Sequence, residues 1–337
     1  MSTVPITLVS ALHDADAARV ASRLSDGHRM HAAGSALAAA RAVADRADHL
    51  AEVCGPDARH SLVVTLPAWG DARAVAMMLA NAARAETGDD RVIDHVVSVL
   101  RAGDVEHLLW SGVDDAFVAA ERLAALIEYA TVIVLQGTER LPVARRRALV
   151  AVVHRCAPQA VVLADVRLRS ADDLPASNGA AARVLAGAAG WMLALSTDHD
   201  LRFRHADGLT AFRYRDPLPF HPARLADVVE HDLVAGPQGR VLRSRGFFRL
   251  ASRPDHVGSW SSVGAMLALD PTANPSWDED APIGQALWFV GEGLDVDRLS
   301  RALDGALITP SELLAGPDLW RSWADPFPVW PALDRGE

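Results

Sequence analysis

The first turn of the chain runs Ser10-Ala11-Leu12-His13-Asp14-Ala15-Asp16-Ala17-Ala18-Arg19, between an apolar run and an alanine-rich stretch with helical spacing. In an α/β domain, the junction of first strand and first helix is where a nucleotide's phosphates are cradled. A cradle needs glycines so that backbone N–H groups converge, a lysine for the outer phosphates and a hydroxyl for the metal. This turn has no glycine, no lysine and no Ser or Thr at its end. Asp14 and Asp16 instead bring negative charge to where the anion would lie. At ~4 Å, two like charges repel by about 1 kcal/mol in water and several times that in a drier site. The two aspartates read as N-caps of a structural helix, and nucleotide binding is disfavoured.

Other residue groups could also carry chemistry. Arg240, Arg243, Arg245, Arg249 and Arg253 recur along one strand-like segment. If no bulge intervenes, 243, 245, 249 and 253 share parity and could face one side. That row would suit phosphate or local rRNA contact; surface salt bridges to the chain's surplus acids are the alternative. Arg145–Arg147 reads as a solvated helix face. His28 and His31 have the i, i+3 spacing of shared metal ligands on a helix, with His13 and the aspartates near in sequence, and equally that of an ordinary surface pair. Cys54 and Cys156 lie far apart without a CxxC. A thiolate zinc site is therefore not expected, and both read as small buried apolar residues. His256 could be structural or partner-facing. Trp260, Trp277, Trp288, Trp320, Trp323 and Trp330 cluster late in the chain and suit core or edge packing, with any exposed ones suiting a partner surface.

These residues must be positioned by a chain of 337 residues, 50% hydrophobic, with a formal net charge of −10. That length suggests two domains, and the apolar half of the composition excludes wholesale disorder. The net charge argues against non-specific nucleic-acid binding. No apolar run approaches the ~18–20 residues of a membrane span, and the N-terminus has no secretory signal pattern, so a cytoplasmic protein without membrane contact is expected. All 33 basic residues are arginine. A lysine Schiff base and a P-loop lysine are both excluded.

The first half alternates short β-branched runs with alanine-rich helical stretches. The runs are Val4–Ser10, Ser61–Leu66, Ile93–Leu100, Thr131–Leu135 and Ala160–Ala164. The helical stretches are Ala15–Leu24, Ala36–Val53, Asp71–Ala85, Asp114–Glu128 and Pro142–His154. Such alternation implies βαβ units and a mostly parallel sheet covered on both faces. After a polar break near Ser170–Ala182 the character changes at Trp191–Ser196. Alternating strands are expected at Leu201–His205, Leu209–Tyr214, Arg240–Ala251 and Gln285–Gly291, with helices at Pro222–Val234 and Asp295–Leu303. This is a smaller α+β domain.

Arg243-Ser244-Arg245-Gly246-Phe247-Phe248-Arg249-Leu250-Ala251-Ser252-Arg253-Pro254-Asp255-His256-Val257-Gly258 resembles the C-terminal domain of the CobW-like family. Pro219-Phe220-His221-Pro222, Leu287-Trp288-Phe289-Val290-Gly291 and Asp325-Pro326-Phe327-Pro328 extend the resemblance over most of residues 205–330. That family is the metallochaperone branch of P-loop GTPases and includes zinc chaperones. Its GxxGxGKT loop falls here on Ala11 through Ala18, with the lysine position at Ala17 and the metal-binding threonine position at Ala18. Its CxCC motif falls on Gly34–Ala40, which has no cysteine. Its Glu-Ser-Thr-Gly switch matches Thr65-Leu66-Pro67-Ala68-Trp69-Gly70, and its NKxD matches Gln136-Gly137-Thr138-Glu139.

With those motifs absent together, the resemblance implies a degenerate, non-catalytic GTPase-like domain (1–197) followed by a CobW C-terminal-like domain (205–337). The degenerate first loop, Pro67–Trp69 and the closing Asp-Pro-Phe resemble a subgroup linked to bacterial zinc starvation, typified by the mycobacterial protein Y recruitment factor. The function this implies is an adaptor in the zinc-limitation response, without cofactor, binding the ribosome or a hibernation factor. A divergent GTP-dependent zinc metallochaperone is the alternative, and a nucleotide-free metal-binding chaperone a third.

Overall fold

The computed structural model describes residues 4–54, 60–87, 93–110, 117–176, 190–196, 203–206, 208–233, 239–264 and 266–331. The chain divides into two compact units. One comprises residues 1–106 and 121–190, the other 107–120 and 191–337. The sequence placed the division at 197–205; residues 197–202 lie outside the described ones.

The first unit is built on β1 (Ile6–Ala11), β2 (Arg29–His31), β3 (Leu62–Thr65), β4 (Ile93–Arg101), β5 (Val132–Gln136) and β6 (Val161–Ala164). They form one sheet in the order β2-β3-β1-β4-β5-β6, every pairing parallel. Alternation along β1 splits its side chains between two cores. Ile6 and Leu8 pack with α2 (Ala36–Cys54) and α3 (Ala72–Thr87) on one face. Val9 and Ala11 pack on the other with Ala17, Val20, Ala21 and Leu24 of α1 (Asp14–Leu24). Between β4 and β6 come α4 (Ala102–Trp110), which belongs to the second unit from residue 107, α5 (Phe117–Glu128), which belongs to it up to residue 120, and α6 (Val143–Cys156). The expected helix starting at Asp114 begins at Phe117 among the described residues, and α4 was not anticipated. A strand of three residues, β2, was also missed; its pattern is too short for a period-2 signal.

The second unit contains α7 (Gly190–Ser196), β7 (Phe203–Ala206), β8 (Leu209–Asp216), α8 (Pro222–Val228), β9 (Arg240–Phe248), β10 (His256–Val263), β11 (Met266–Pro275), β12 (Gln285–Glu292), α9 (Val296–Ala306) and α10 (Pro310–Trp320). Its strands form an antiparallel sheet in the order β11-β10-β9-β12-β8-β7. One face carries Phe212, Phe248, Trp260 and Phe289 against Leu225 of α8 and Leu299 and Leu303 of α9. Gly246 is required where β9 meets β12: its φ is +155°, and a Cβ there would lie 2.1 Å from the Ala286 carbonyl oxygen. The sequence anticipated β7, β8, β9 and β12 but neither β10 nor β11, because Ser-, Thr- and Pro-rich stretches weaken the alternation there. Leu201, Arg202 and Val234, at the ends of expected elements, lie outside the described residues.

Candidate functional site

In this sheet β1 lies between β3 and β4, so the chain switches direction there, and the strand ends beside it are the usual ligand site of an open parallel sheet. Only Leu12 and His13 separate β1 from α1. Two residues cannot wrap a ring of amides around a phosphate chain. Ala17, the expected lysine position, is 1% exposed in the core contact of α1.

The aspartates are not the N-caps that the sequence suggested. His13 occupies that position without a side-chain cap, and its Nε2 lies 2.9 Å from Asp104 Oδ2 at the start of α4. Asp14 is the first helical residue, and its Oδ1 accepts a 2.6 Å hydrogen bond from the Ala68 amide. Asp16 is buried, with Arg19 NH2 at 2.5 Å from one carboxylate oxygen and Arg101 Nε at 2.6 Å from the other. Arg19 NH2 also donates to Gln136 Oε1 at 2.8 Å. Residues from α1, β4 and β5 thus hold one another at the strand ends, with two guanidiniums on one carboxylate. A buried carboxylate is retained only with such pairing.

The segment matched to the switch is held from two sides. Arg122 Nε donates to the Ala68 carbonyl at 2.8 Å, and its NH2 donates to the Gly70 carbonyl. Burial lowers the Arg122 pKa, partly opposed by Asp71. Trp69, at the tip of this clamped turn, is 66% exposed. Gln136 is buried against Arg19, whereas Glu139 is exposed, 3.8 Å from its neighbour Arg140. A cleft of about 540 Å³ lies alongside, bordered by Asp14, Ala18, Arg19, Arg29, His31 and Thr65 among others.

His28 and His31 do not share a helix. Arg29–His31 is a strand, and the two rings have different partners. His31 Nδ1 lies 3.1 Å from Thr65 Oγ1. His28 Nε2 lies 3.2 Å from His60 Nδ1. Cys54, expected to be buried, is only partly so, and its Sγ lies with those two histidines in a group whose ligand atoms are all within 4.8 Å of one another. Cys156 is buried as expected. Sequence reading missed His60; the Cys54-x5-His60 spacing was its only local signal.

The arginine row is also corrected. Regular alternation ends with β9 at Phe248, so Arg249 and Arg253 leave the strand. Arg243 is 2% exposed, donating through NH1 to Ser261 Oγ at 3.0 Å and the Ser262 carbonyl at 2.9 Å. Arg245 lies over the Trp191 ring at 5.1 Å. Arg249 is half-buried, and burial lowers its pKa. Arg253 grips Asp325 with two hydrogen bonds of 2.8 and 2.9 Å and lies over Trp330 at 4.4 Å. Arg240 is exposed and donates to the Trp110 carbonyl at 2.7 Å. The row therefore fixes the fold of the second unit more than it offers a common face. Of Arg145–Arg147, Arg145 pairs with Glu106 at 2.6 Å while its two neighbours are exposed. His256 is structural, 3.1 Å from the Pro331 carbonyl and packed against Trp330. Trp260, Trp288 and Trp320 are buried, Trp323 stacks on His221, and Trp277 is exposed.

Residues 209–307, which span β8 to α9, match the family model described as the cobalamin synthesis protein cobW C-terminal domain. The second unit therefore contains a CobW C-terminal domain. The chain is 31% identical over 152 residues to the zinc-regulated GTPase metalloprotein activator 1 of Dictyostelium discoideum, covering 38% of this chain and 31% of that protein. It is also 31% identical over 149 residues to the zinc chaperone Rv0106 of Mycobacterium tuberculosis, covering 37% of this chain and 36% of that one. The matched segment thus spans about a third of the length of each curated relative. Among solved structures, Zn(II)-bound YjiA GTPase from E. coli aligns over 91% of this chain and 100% of that one, with 14% identity and a TM-score of 0.38. No helix among the described residues is long and apolar enough to cross a membrane.

Proposed function

We propose that this chain handles zinc as a chaperone-type protein whose first unit works without GTP. The observation that carries the nucleotide-free part is the two-residue β1–α1 connection, closed by the Asp16 ion cluster. Phosphoryl transfer depends on loop amides, a lysine and magnesium to position and neutralise the phosphates. The chain has no lysine, and internal arginines already engage the acidic group at the strand ends. The zinc part is supported by the two similar proteins, a zinc-regulated GTPase metalloprotein activator and a zinc chaperone.

GTP dependence is the part of the chaperone reading that calorimetry decides. Titration of the full chain with GTP and magnesium is expected to give no saturable heat, and incubation no phosphate release. Saturable heat together with turnover would overturn the nucleotide-free reading and favour a divergent GTP-dependent metallochaperone.

A second reading, the non-catalytic adaptor that binds the ribosome or a hibernation factor under zinc limitation, is supported by one observation. Trp69 stands exposed on a turn held by Asp14 and Arg122, as a rigid aromatic anchor for a macromolecular partner would. Co-sedimentation with ribosomes from zinc-starved and zinc-replete cells tests it. Association that is lost in Trp69→Ala would support the adaptor, and no association in either condition would remove it.

A further inference from the structure

The geometry points to a transition-metal site formed by His28, Cys54 and His60, a three-ligand zinc site with one position left for exchange. The three residues come from different elements at the N-terminal edge of the parallel sheet. His28 directly precedes β2, Cys54 ends α2, and His60 lies two residues before β3. The β2–β3 pairing brings the histidines together: Arg29 is in register with Val63, and the Val63 amide donates to the His28 carbonyl at 3.0 Å. This edge is opposite to the one that carries Asp16.

The ligand spacing suits a small tetrahedral ion. Zinc binds imidazole nitrogen at ~2.0–2.1 Å, so two nitrogens on one tetrahedral ion stand about 3.3 Å apart. His28 Nε2 and His60 Nδ1 are 3.2 Å apart, and all three ligand atoms fall within 4.8 Å of one another. The rings meet nearly edge to face, at 88° between planes. One nitrogen now donates to the other. A tautomer change moves that hydrogen to the far nitrogen of its ring, so both imidazoles stay neutral, and loss of the thiol proton, the one released to solvent as the ion binds, completes a His2Cys set.

The donor set selects the metal class. Thiolate and imidazole together favour zinc, with copper as competitor, over magnesium or calcium, which take oxygen ligands. Structural zinc sites close all four positions with protein ligands, whereas sites with three keep one open. All three residues are partly exposed, so solvent or a client's ligand can reach the fourth position. Delivery of the ion from here rests on the chaperone reading above; its capture at these residues does not.

The test uses the full chain, reduced and stripped of metal, titrated with cobalt(II) and then zinc(II) alone. Expected are one cobalt per chain, a thiolate-to-cobalt charge-transfer band with tetrahedral visible bands, displacement by zinc, and proton release on binding. Cys54→Ser should abolish the charge-transfer band. His28→Ala with His60→Ala should weaken binding by on the order of a hundredfold or more, since even supporting partners of metal ligands cost 10–100-fold. His31→Ala, in β2 three residues beyond His28, should leave the spectrum unchanged. Unaltered thermal melting of the variants without metal separates lost ligation from lost folding. No uptake by the wild-type chain, or a charge-transfer band that survives Cys54→Ser, would overturn the site. Cellular zinc handling is read separately. If cells lacking the chain grow normally under chelation, the chaperone reading fails while the binding result stands. If Cys54→Ser restores such growth fully, this site's part in delivery is overturned.

Discussion

Asp16 and Arg101 are 85 residues apart in the chain and 2.6 Å apart in the fold, joining the start of α1 to the end of β4. The carboxylate is 3% exposed while the guanidinium is 47% exposed. The pair lies beside the ends of β1 and β4, and its carboxylate is the negative group that Arg19 and Arg101 share.

Removing that carboxylate leaves two arginines without their shared partner. Asp16→Ala should lower stability by about 1–3 kcal/mol, the usual range for breaking charged hydrogen bonds at a part-buried site. Denaturant unfolding of the first unit's signal is the check. A change within error would mean the cluster contributes nothing net.

Placing phosphate-loop residue types at the matched positions should not create nucleotide binding. Ala17→Lys with Ala18→Thr puts the expected side chains into a helix, not a loop, and Ala17 faces the core. The double variant should destabilise by several kcal/mol through burial of the ammonium and give no GTP heat in calorimetry. A gain of nucleotide affinity would show that the connection can reopen.

The arginine row separates by burial. Arg243→Ala should cost about 2–4 kcal/mol, losing a buried side chain and its bonds to Ser261 and Ser262. Arg240→Ala, at an exposed position, should stay within about 1 kcal/mol of wild type. Thermal or urea unfolding of the two variants compares them directly.

Acid should weaken the cap of α10 in a defined window. The Arg224 guanidinium, at 2.7 Å, holds Glu312 at about 2 against an ordinary 4.5. A folded pKa below the unfolded one gives stability that is complete above pH 4.5 and declines as pH falls toward 2. Urea midpoints of the wild-type chain should fall across that window, and Glu312→Gln should remove this component of the fall. An identical profile for the variant would refute the assignment.

The sequence made much of this legible. β1, β3, β4, β5 and β6 carry runs of valine, leucine and isoleucine long enough to read, and α2 and α3 show clear helical spacing. β10 and β11 were illegible because serine, threonine and proline stand where alternation would show. Parity placed Arg243 and Arg245 on one face but could not say that this face is packed. The i, i+3 spacing of His28 and His31 suits shared ligands on a helix, but spacing alone carries no information about the strand that starts at Arg29, between them.

Residue types alone determined which chemistry is excluded. Without a lysine anywhere, no conformation supplies a P-loop lysine or a lysine Schiff base, because that is a covalent fact of the chain. Which groups meet was decided only by the tertiary structure. Asp16 finds Arg101, and Cys54 finds His28 and His60, through parallel strand pairing and crossover helices. Distances of a few ångströms between residues tens of positions apart are set by packing, and local spacing does not encode them.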